Sequence, residues 1–256
     1  MRLRGPKLAR WLWLLSALCS VGSAAPLPEL VKQIKPSVIG VGTYDPLGSP
    51  RGNLLGTGFF VAKGRHVVTA FHLASPDTPG AVTTTSPQLA VFLGSGQRAE
   101  IRLATRVRAD AQHDLAILEI EGAPGTPLRL GPQDLPDEGT AIAIMGYPIG
   151  NTLGLHPLTH AGIVASVSPV ALPHPDAASL SADRIRHLRQ PFPVMLLDLI
   201  AYPGNSGSPV FDHDGRVRGV VSGVYLRSIR EGPVSAPSAI TYAIPVAHLL
   251  PLLEGL

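Results

Sequence analysis

The apolar positions of this chain fall mostly in short runs closed off by Gly, Pro, Asp or Ser, and they take helical spacing only near the two ends. Leu27, Leu30, Val31 and Ile34 lie on one helical face, which predicts a short leading helix stopped by Pro36. From there the pattern changes to β-branched and apolar runs that predict strands at Val38 to Val41, Gly58 to Ala62, Val67 to Thr69, Leu89 to Leu93, Ile101 to Val107 and Leu115 to Ile120. The second half continues in the same style without repeating the sequence: Thr140 to Met145, Gly162 to Val167, Val194 to Leu197, Ser208 to Phe211, Val217 to Val224 and Ala239 to Ile244. About six strands per half with short connections argue for two antiparallel barrels or a sandwich. A βαβ rhythm is missing, which argues against a parallel α/β fold. A closing helix is expected from Val246 to about Glu254, with no further domain after it.

One segment resists this pattern. Gly150 to Pro193 holds a single strand candidate followed by Pro-rich and Arg-containing sequence, including Arg184, Arg186 and Arg189. A connection of that length is either a solvated excursion or a functional loop. Composition then alters the picture at the amino terminus. Arg2, Arg4, Lys7 and Arg10 precede an apolar run from Trp11 to Val21 and the small residues Gly22-Ser23-Ala24-Ala25, the pattern of a secretory signal peptide spanning residues 1–25. That apolar run is short for a membrane span. Removing it takes four of the 21 basic residues and none of the 18 acidic ones, so the net charge falls from +3 to −1 and the case for nucleic-acid binding goes with it. Cys19 goes too, leaving residues 26–256 as a domain with no disulfide that must be stable through its core alone.

The candidate chemistry sits at Tyr202-Pro203-Gly204-Asn205-Ser206-Gly207-Ser208-Pro209-Val210. A serine between two glycines on a tight turn can expose its hydroxyl, and Gly204, with no Cβ, lets the N–H groups of Gly204 and Ser206 approach a developing oxyanion. The same five residues are also ordinary hairpin chemistry. A serine nucleophile requires a base and a group to orient that base. His72 closes the apolar run Val67-Val68-Thr69-Ala70-Phe71, and Asp114 opens the run Leu115-Ala116-Ile117-Leu118. Alone, each has a structural reading, as a strand-end histidine and a turn aspartate. Their order and gaps of 42 and 92 residues put the first two in the amino-terminal half and the serine in the other, so the site would lie in a crevice between two barrels. The remaining histidines form no ligand pattern, so neither zinc nor another metal is expected.

The runs Gly56-Thr57-Gly58-Phe59-Phe60-Val61, Val68-Thr69-Ala70-Phe71-His72, Asp114-Leu115-Ala116-Ile117-Leu118, Gly146-Tyr147-Pro148-Ile149-Gly150 and Gly204-Asn205-Ser206-Gly207-Ser208-Pro209 resemble the trypsin-like serine peptidases. They are most similar to the bacterial Deg (high-temperature-requirement) branch, over about residues 27 to 250. The resemblance implies an all-β fold of two six-stranded antiparallel barrels, the first at about 36–125 and the second at about 126–245. It implies His72 as general base, Asp114 as its orienter, Ser206 as nucleophile and the backbone of Gly204 and Ser206 as oxyanion hole. It further implies an exported serine endopeptidase, periplasmic or secreted, with polypeptide substrates, no cofactor and no membrane anchor once the signal is cleaved; homo-oligomers are compatible with it. The pocket for the residue before the scissile bond would be lined by Ile200 and Ala201 and by the strand holding Val221 and Ser222, and a small-to-medium aliphatic residue is expected there. Two departures are Ser208, where the family often has glycine, and the lack of the PDZ domain that many Deg proteins carry. The other reading is a weakly active or non-catalytic peptide-binding, chaperone-like scaffold on the same fold.

Overall fold

The structure, a computed structural model, describes residues 25–74, 87–96, 99–149, 154–169, 191–226 and 237–256. The signal-peptide segment up to Ala24, Gly150 and the arginine-containing stretch of the long connection lie outside the described residues.

Twelve strands form two closed barrels. The first holds β1 (Val38–Tyr44), β2 (Gly52–Val61), β3 (His66–Ala70), β4 (Gln88–Leu93), β5 (Glu100–Asp110) and β6 (Leu115–Ile120). The second holds β7 (Ala141–Gly146), β8 (Leu158–Pro169), β9 (Pro193–Asp198), β10 (Pro209–Asp212), β11 (Val217–Leu226) and β12 (Pro237–Pro245). The hydrogen-bonded order is β1-β2-β3-β6-β5-β4 in one and β10-β11-β12-β9-β8-β7 in the other, so both halves are wired alike. All pairings are antiparallel. Closure leaves no unpaired sheet edge.

The apolar runs are continuous where a strand is buried on both faces. In β6, Ala116, Leu118 and Ile120 point into the first barrel, whereas Leu115 and Ile117 point outward into a second apolar layer. In β7, Ile142 and Ile144 fill the second barrel while Ala143 and Met145 join the same shared layer, together with Val38, Phe59, Val68, Tyr147 and Phe211. Each barrel thus has its own core, and a third cluster fuses the two along a seam. In β5 the exposed side chains include Ile101 and Leu103, at 38% and 46%, whereas Arg102 and Arg106 are partly covered.

The leading helix, α1, runs over Leu27–Ile34 and buries Leu30 and Ile34, with Leu30 against Gly215 in the turn between β10 and β11. The carboxyl end is less regular than the single helix its apolar spacing suggests: a 3₁₀ turn at Val246–His248 is followed by a four-residue helix at Leu250–Leu253. Pro251 explains the break, because it lacks an N–H and is accommodated only where a helix begins.

Candidate active site

The ladder between β3 and β6 fixes the first part of the site. Ala70 pairs with Leu115, the last rung of that ladder, and Phe71 then donates its N–H to the carbonyl of Asp114 at 3.0 Å. The next residue on one side is His72 and on the other the Asp114 side chain, so pairing alone brings the two together across 42 positions. His72 lies in a 3₁₀ turn, Phe71–Leu73, just past the strand end. Its Nδ1 is 2.9 Å from Asp114 Oδ2 and 3.1 Å from Oδ1, and its backbone N–H donates to Oδ1 at 2.9 Å. Asp114 adopts a left-handed backbone (φ 51°), a region that Asp tolerates better than most residues.

The imidazole is half exposed, at 48%, and the carboxylate is largely covered, at 13%. Burial pulls the His72 pKa down, but the hydrogen bond and negative charge of Asp114 together outweigh it and leave the ring above its ordinary value.

Ser206 lies on the turn between β9 and β10. Gly207 donates its N–H to Val221 O at 2.7 Å, and Val221 donates back to Ser208 O at 2.9 Å, which pins the turn to β11. Gly204 (φ 99°) and Gly207 (φ 85°) are both left-handed, and at either a Cβ would collide with backbone oxygen, Tyr147 O at 2.2 Å for Gly204 and Thr57 O at 2.0 Å for Gly207. Among the described residues, the N–H groups of Gly204 and Ser206 have no hydrogen-bond partner, so both can donate to an incoming oxygen.

Ser222 joins the two halves of the site. Its hydroxyl donates to Asp114 Oδ2, and its carbonyl accepts the Ser206 hydroxyl at 3.1 Å. Sequence reasoning placed Ser222 in the substrate pocket; in the structure both of its polar atoms are engaged by His72's partner and by Ser206. Close behind lies Tyr242, whose hydroxyl abuts Gly223 and whose pKa is pushed up to about 12 by burial and by the Asp114 charge.

A pocket of about 70 Å³ opens beside Ser206, lined by Ala201, Tyr202, Pro203, Asn205, Val221 and Gly223. Of the residues expected at the substrate pocket, Ala201 and Val221 line it. Ile200 does not: it is 42% exposed, because adjacent residues of the extended segment face opposite ways and Ala201 takes the inward one. None of the lining residues is charged, and Asp198 is exposed.

Sequence reasoning missed the residues that hold the Ser206 turn from the other barrel. Thr57, fully buried on β2, donates its hydroxyl to Gly204 O at 2.7 Å and accepts the Tyr147 N–H at 2.9 Å. Its own N–H donates to Ser206 O at 2.9 Å. The one signal was a polar residue between Gly56 and Gly58 in an apolar strand. Ser208, where glycine was expected, is accommodated by Gly146: a Cβ on Gly146 would stand 2.1 Å from Ser208 Oγ. Among the described residues no cluster of His, Cys, Asp or Glu could hold a metal ion, and no helix is long and apolar enough to cross a membrane.

Known proteins are similar to this chain in sequence, and solved structures share its arrangement of strands. A probable periplasmic serine endoprotease, DegP-like, from Ectopseudomonas mendocina is 28% identical over 202 residues, covering 79% of this chain and 35% of that protein. The chloroplastic protease Do-like 1 of Arabidopsis thaliana is 28% identical over 207 residues, covering 80% and 39%. The chain thus spans little more than a third of the length of these curated relatives. Among solved structures, a serine endoprotease from Yersinia pestis superposes with a TM-score of 0.61 at 19% identity over 90% of this chain and 66% of that one. The Rv3671c protease of M. tuberculosis in its active form superposes with a TM-score of 0.63 at 21% identity over 88% and 84%. The family profile described as trypsin-like peptidase domain matches residues 56–220, well over half of the sequence, and the chain belongs to that family.

Proposed function

We propose that this chain is an exported serine endopeptidase that cleaves polypeptides through an acyl-enzyme, with Ser206 as nucleophile, His72 as general base and Asp114 as orienter of the base. The observation that carries the reading is the contact of His72 Nδ1 with both oxygens of a covered carboxylate, at 2.9 and 3.1 Å, beside a serine turn with two N–H groups that are unengaged among the described residues. Nδ1 bound to a carboxylate keeps its proton, which leaves Nε2 as the base. Attack begins when Ser206 turns its hydroxyl from Ser222 O to Nε2. The proton passes to His72, the Ser206 Oγ bonds to the scissile carbonyl carbon, and the oxyanion is met by the N–H groups of Gly204 and Ser206. The imidazolium, paired with Asp114, then protonates the departing amine as the C–N bond breaks. Water repeats the sequence to release the acid. The uncharged pocket of about 70 Å³ beside Ser206 suits a small aliphatic side chain before the scissile bond. Export is supported by the basic-then-apolar leader and by relatives named as periplasmic proteases.

The resting hydrogen bond from Ser206 to Ser222 O favours one further reading, a weakly active peptide-binding scaffold. A fluorophosphonate probe separates the two. Labelling that Ser206→Ala abolishes, together with cleavage of an unfolded protein by wild type alone, is the expected result. Equal cleavage by wild type and Ser206→Ala ends the peptidase reading, and failure of wild type to label supports the scaffold.

A further inference from the structure

We infer that Thr57 is a positioning residue that sets the oxyanion hole from the opposite barrel; the inference rests on the acyl-enzyme reading of the site. Thr57 has one backbone N–H, one carbonyl and one hydroxyl, and all are used on catalytic elements. The N–H donates to Ser206 O at 2.9 Å, the hydroxyl donates to Gly204 O at 2.7 Å and accepts Tyr147 N–H at 2.9 Å, and the carbonyl accepts the Thr69 hydroxyl at 2.7 Å. Thr69 stands three residues before His72 on β3. A single buried residue therefore ties the nucleophile turn, the loop after β7 and the strand leading to the base.

The hydroxyl matters because Gly204 cannot hold its own conformation. A planar trans peptide has its C=O and N–H on opposite sides, so fixing a carbonyl fixes the N–H of the next residue. The peptide before Gly204 is held by Ile149 N–H on Pro203 O at 2.6 Å, and the peptide after it by the Thr57 hydroxyl on Gly204 O. These two planes together define φ and ψ of Gly204, and with no Cβ it has little intrinsic preference between one setting and another. Ile149 and Tyr147 belong to one loop, and Thr57 also fixes Tyr147. Loss of the hydroxyl thus loosens both planes at once. Its location is made available by the flanking glycines: a Cβ on Gly56 would stand 3.0 Å from Ser206 O.

Thr57→Val keeps the shape and removes the hydroxyl, and Thr57→Ser keeps the hydroxyl. Active sites are counted by fluorophosphonate titration, and kcat and KM are measured per active site on a fluorogenic peptide with alanine or valine before the scissile bond. Affinity for a peptide aldehyde, whose adduct places an oxyanion in the hole, is measured beside that of the corresponding peptide acid. Displacement of the donors by a fraction of an ångström predicts a kcat loss of about 10- to 100-fold in Thr57→Val with KM within about twofold. Aldehyde affinity should fall with kcat while peptide-acid affinity stays, and Thr57→Ser should recover most of the loss. Simple destabilisation would lower the number of titrated sites and not the rate of each. If Thr57→Val does not fold, Thr57→Ala carries the same comparison with less crowding. Per-site kcat in the hydroxyl-lacking variant equal to that of Thr57→Ser, or a change confined to KM, overturns the inference. A wild type that neither labels nor cleaves overturns the acyl-enzyme reading itself.

Discussion

Asp114→Asn tests the electrostatic centre of the site with almost no change of shape. The amide can still accept the His72 backbone N–H through one oxygen, so the turn holding His72 should fold. What changes is the ring. Asp114 contacts Nδ1 at 2.9 and 3.1 Å, and when His72 takes a proton the new imidazolium faces this negative charge. At about 4 Å between charge centres and an effective dielectric near 20, the attraction is about 4 kcal/mol. The ring is 48% exposed, so solvent screening reduces this to about 2 kcal/mol. The amide also presents an N–H₂ where Nδ1 needs an acceptor, and a reversed or broken buried hydrogen bond adds about 1–3 kcal/mol by favouring the wrong tautomer. The total of about 3–5 kcal/mol corresponds to a fall in kcat of about 10²- to 10⁴-fold. The pH profile should move as well. Wild-type His72 is held above 6.5, so if the neutral ring serves as base, activity should rise as pH passes through that elevated value. The same shift means the pair stabilises the fold most at pH below 6.5 and ceases to do so as pH rises through the folded value. In Asp114→Asn both raising causes vanish and burial alone remains, so the acid limb should fall below 6.5. Steady-state kinetics on a peptide amide from pH 5 to 9 measures both, and a kcat within tenfold of wild type with an unmoved limb would refute the reasoning.

Ser222→Ala removes the donor on Asp114 Oδ2; a less solvated carboxylate holds the imidazolium more tightly, so the acid limb should rise and kcat/KM fall by about tenfold, read from the same pH series. Gly146→Ala forces a Cβ to within 2.1 Å of Ser208 Oγ and 2.8 Å of Asn205 Oδ1 and should lower stability by about 1–3 kcal/mol in chemical denaturation. Adding Ser208→Gly should recover most of that loss, and a coupling under about 0.5 kcal/mol in the double-mutant cycle would show the two positions to be independent.

All twelve strands and the leading helix were legible because barrel strands buried on two faces concentrate β-branched and apolar residues, and turn residues end them. Boundaries moved where polar side chains interrupt the apolar pattern that the eye follows, as at the ends of β5 and in β8, where His160 and Ser166 are half-buried. The closing helix was overextended because Leu249, Leu250, Leu252 and Leu253 read as one apolar face, whereas Pro251 resets the backbone between them. At the site, His72, Asp114 and Ser206 could be proposed from the sequence because acyl transfer demands those side-chain types. Thr57, Tyr147 and Ser222 could not be assigned their parts. Their bonds run largely to backbone atoms 147 and 90 positions away, or to a carboxylate 108 positions away, and no local spacing announces such a partner.

Those same long-range bonds explain why the site lies on the seam. Barrel one contributes His72 and Asp114, already joined by the β3–β6 ladder, and barrel two contributes the turn of Ser206. Neither half can set the distance between His72 and Ser206 by itself. Apolar contacts across the shared layer are strong but nondirectional, and they tolerate small slides. The cross-barrel hydrogen bonds do not: Thr57 fixes Gly204 and Ser206 from one side, and Ser222 fixes Asp114 from the other. Between them they convert a broad apolar contact into one register between the His72–Asp114 pair and the Ser206 turn.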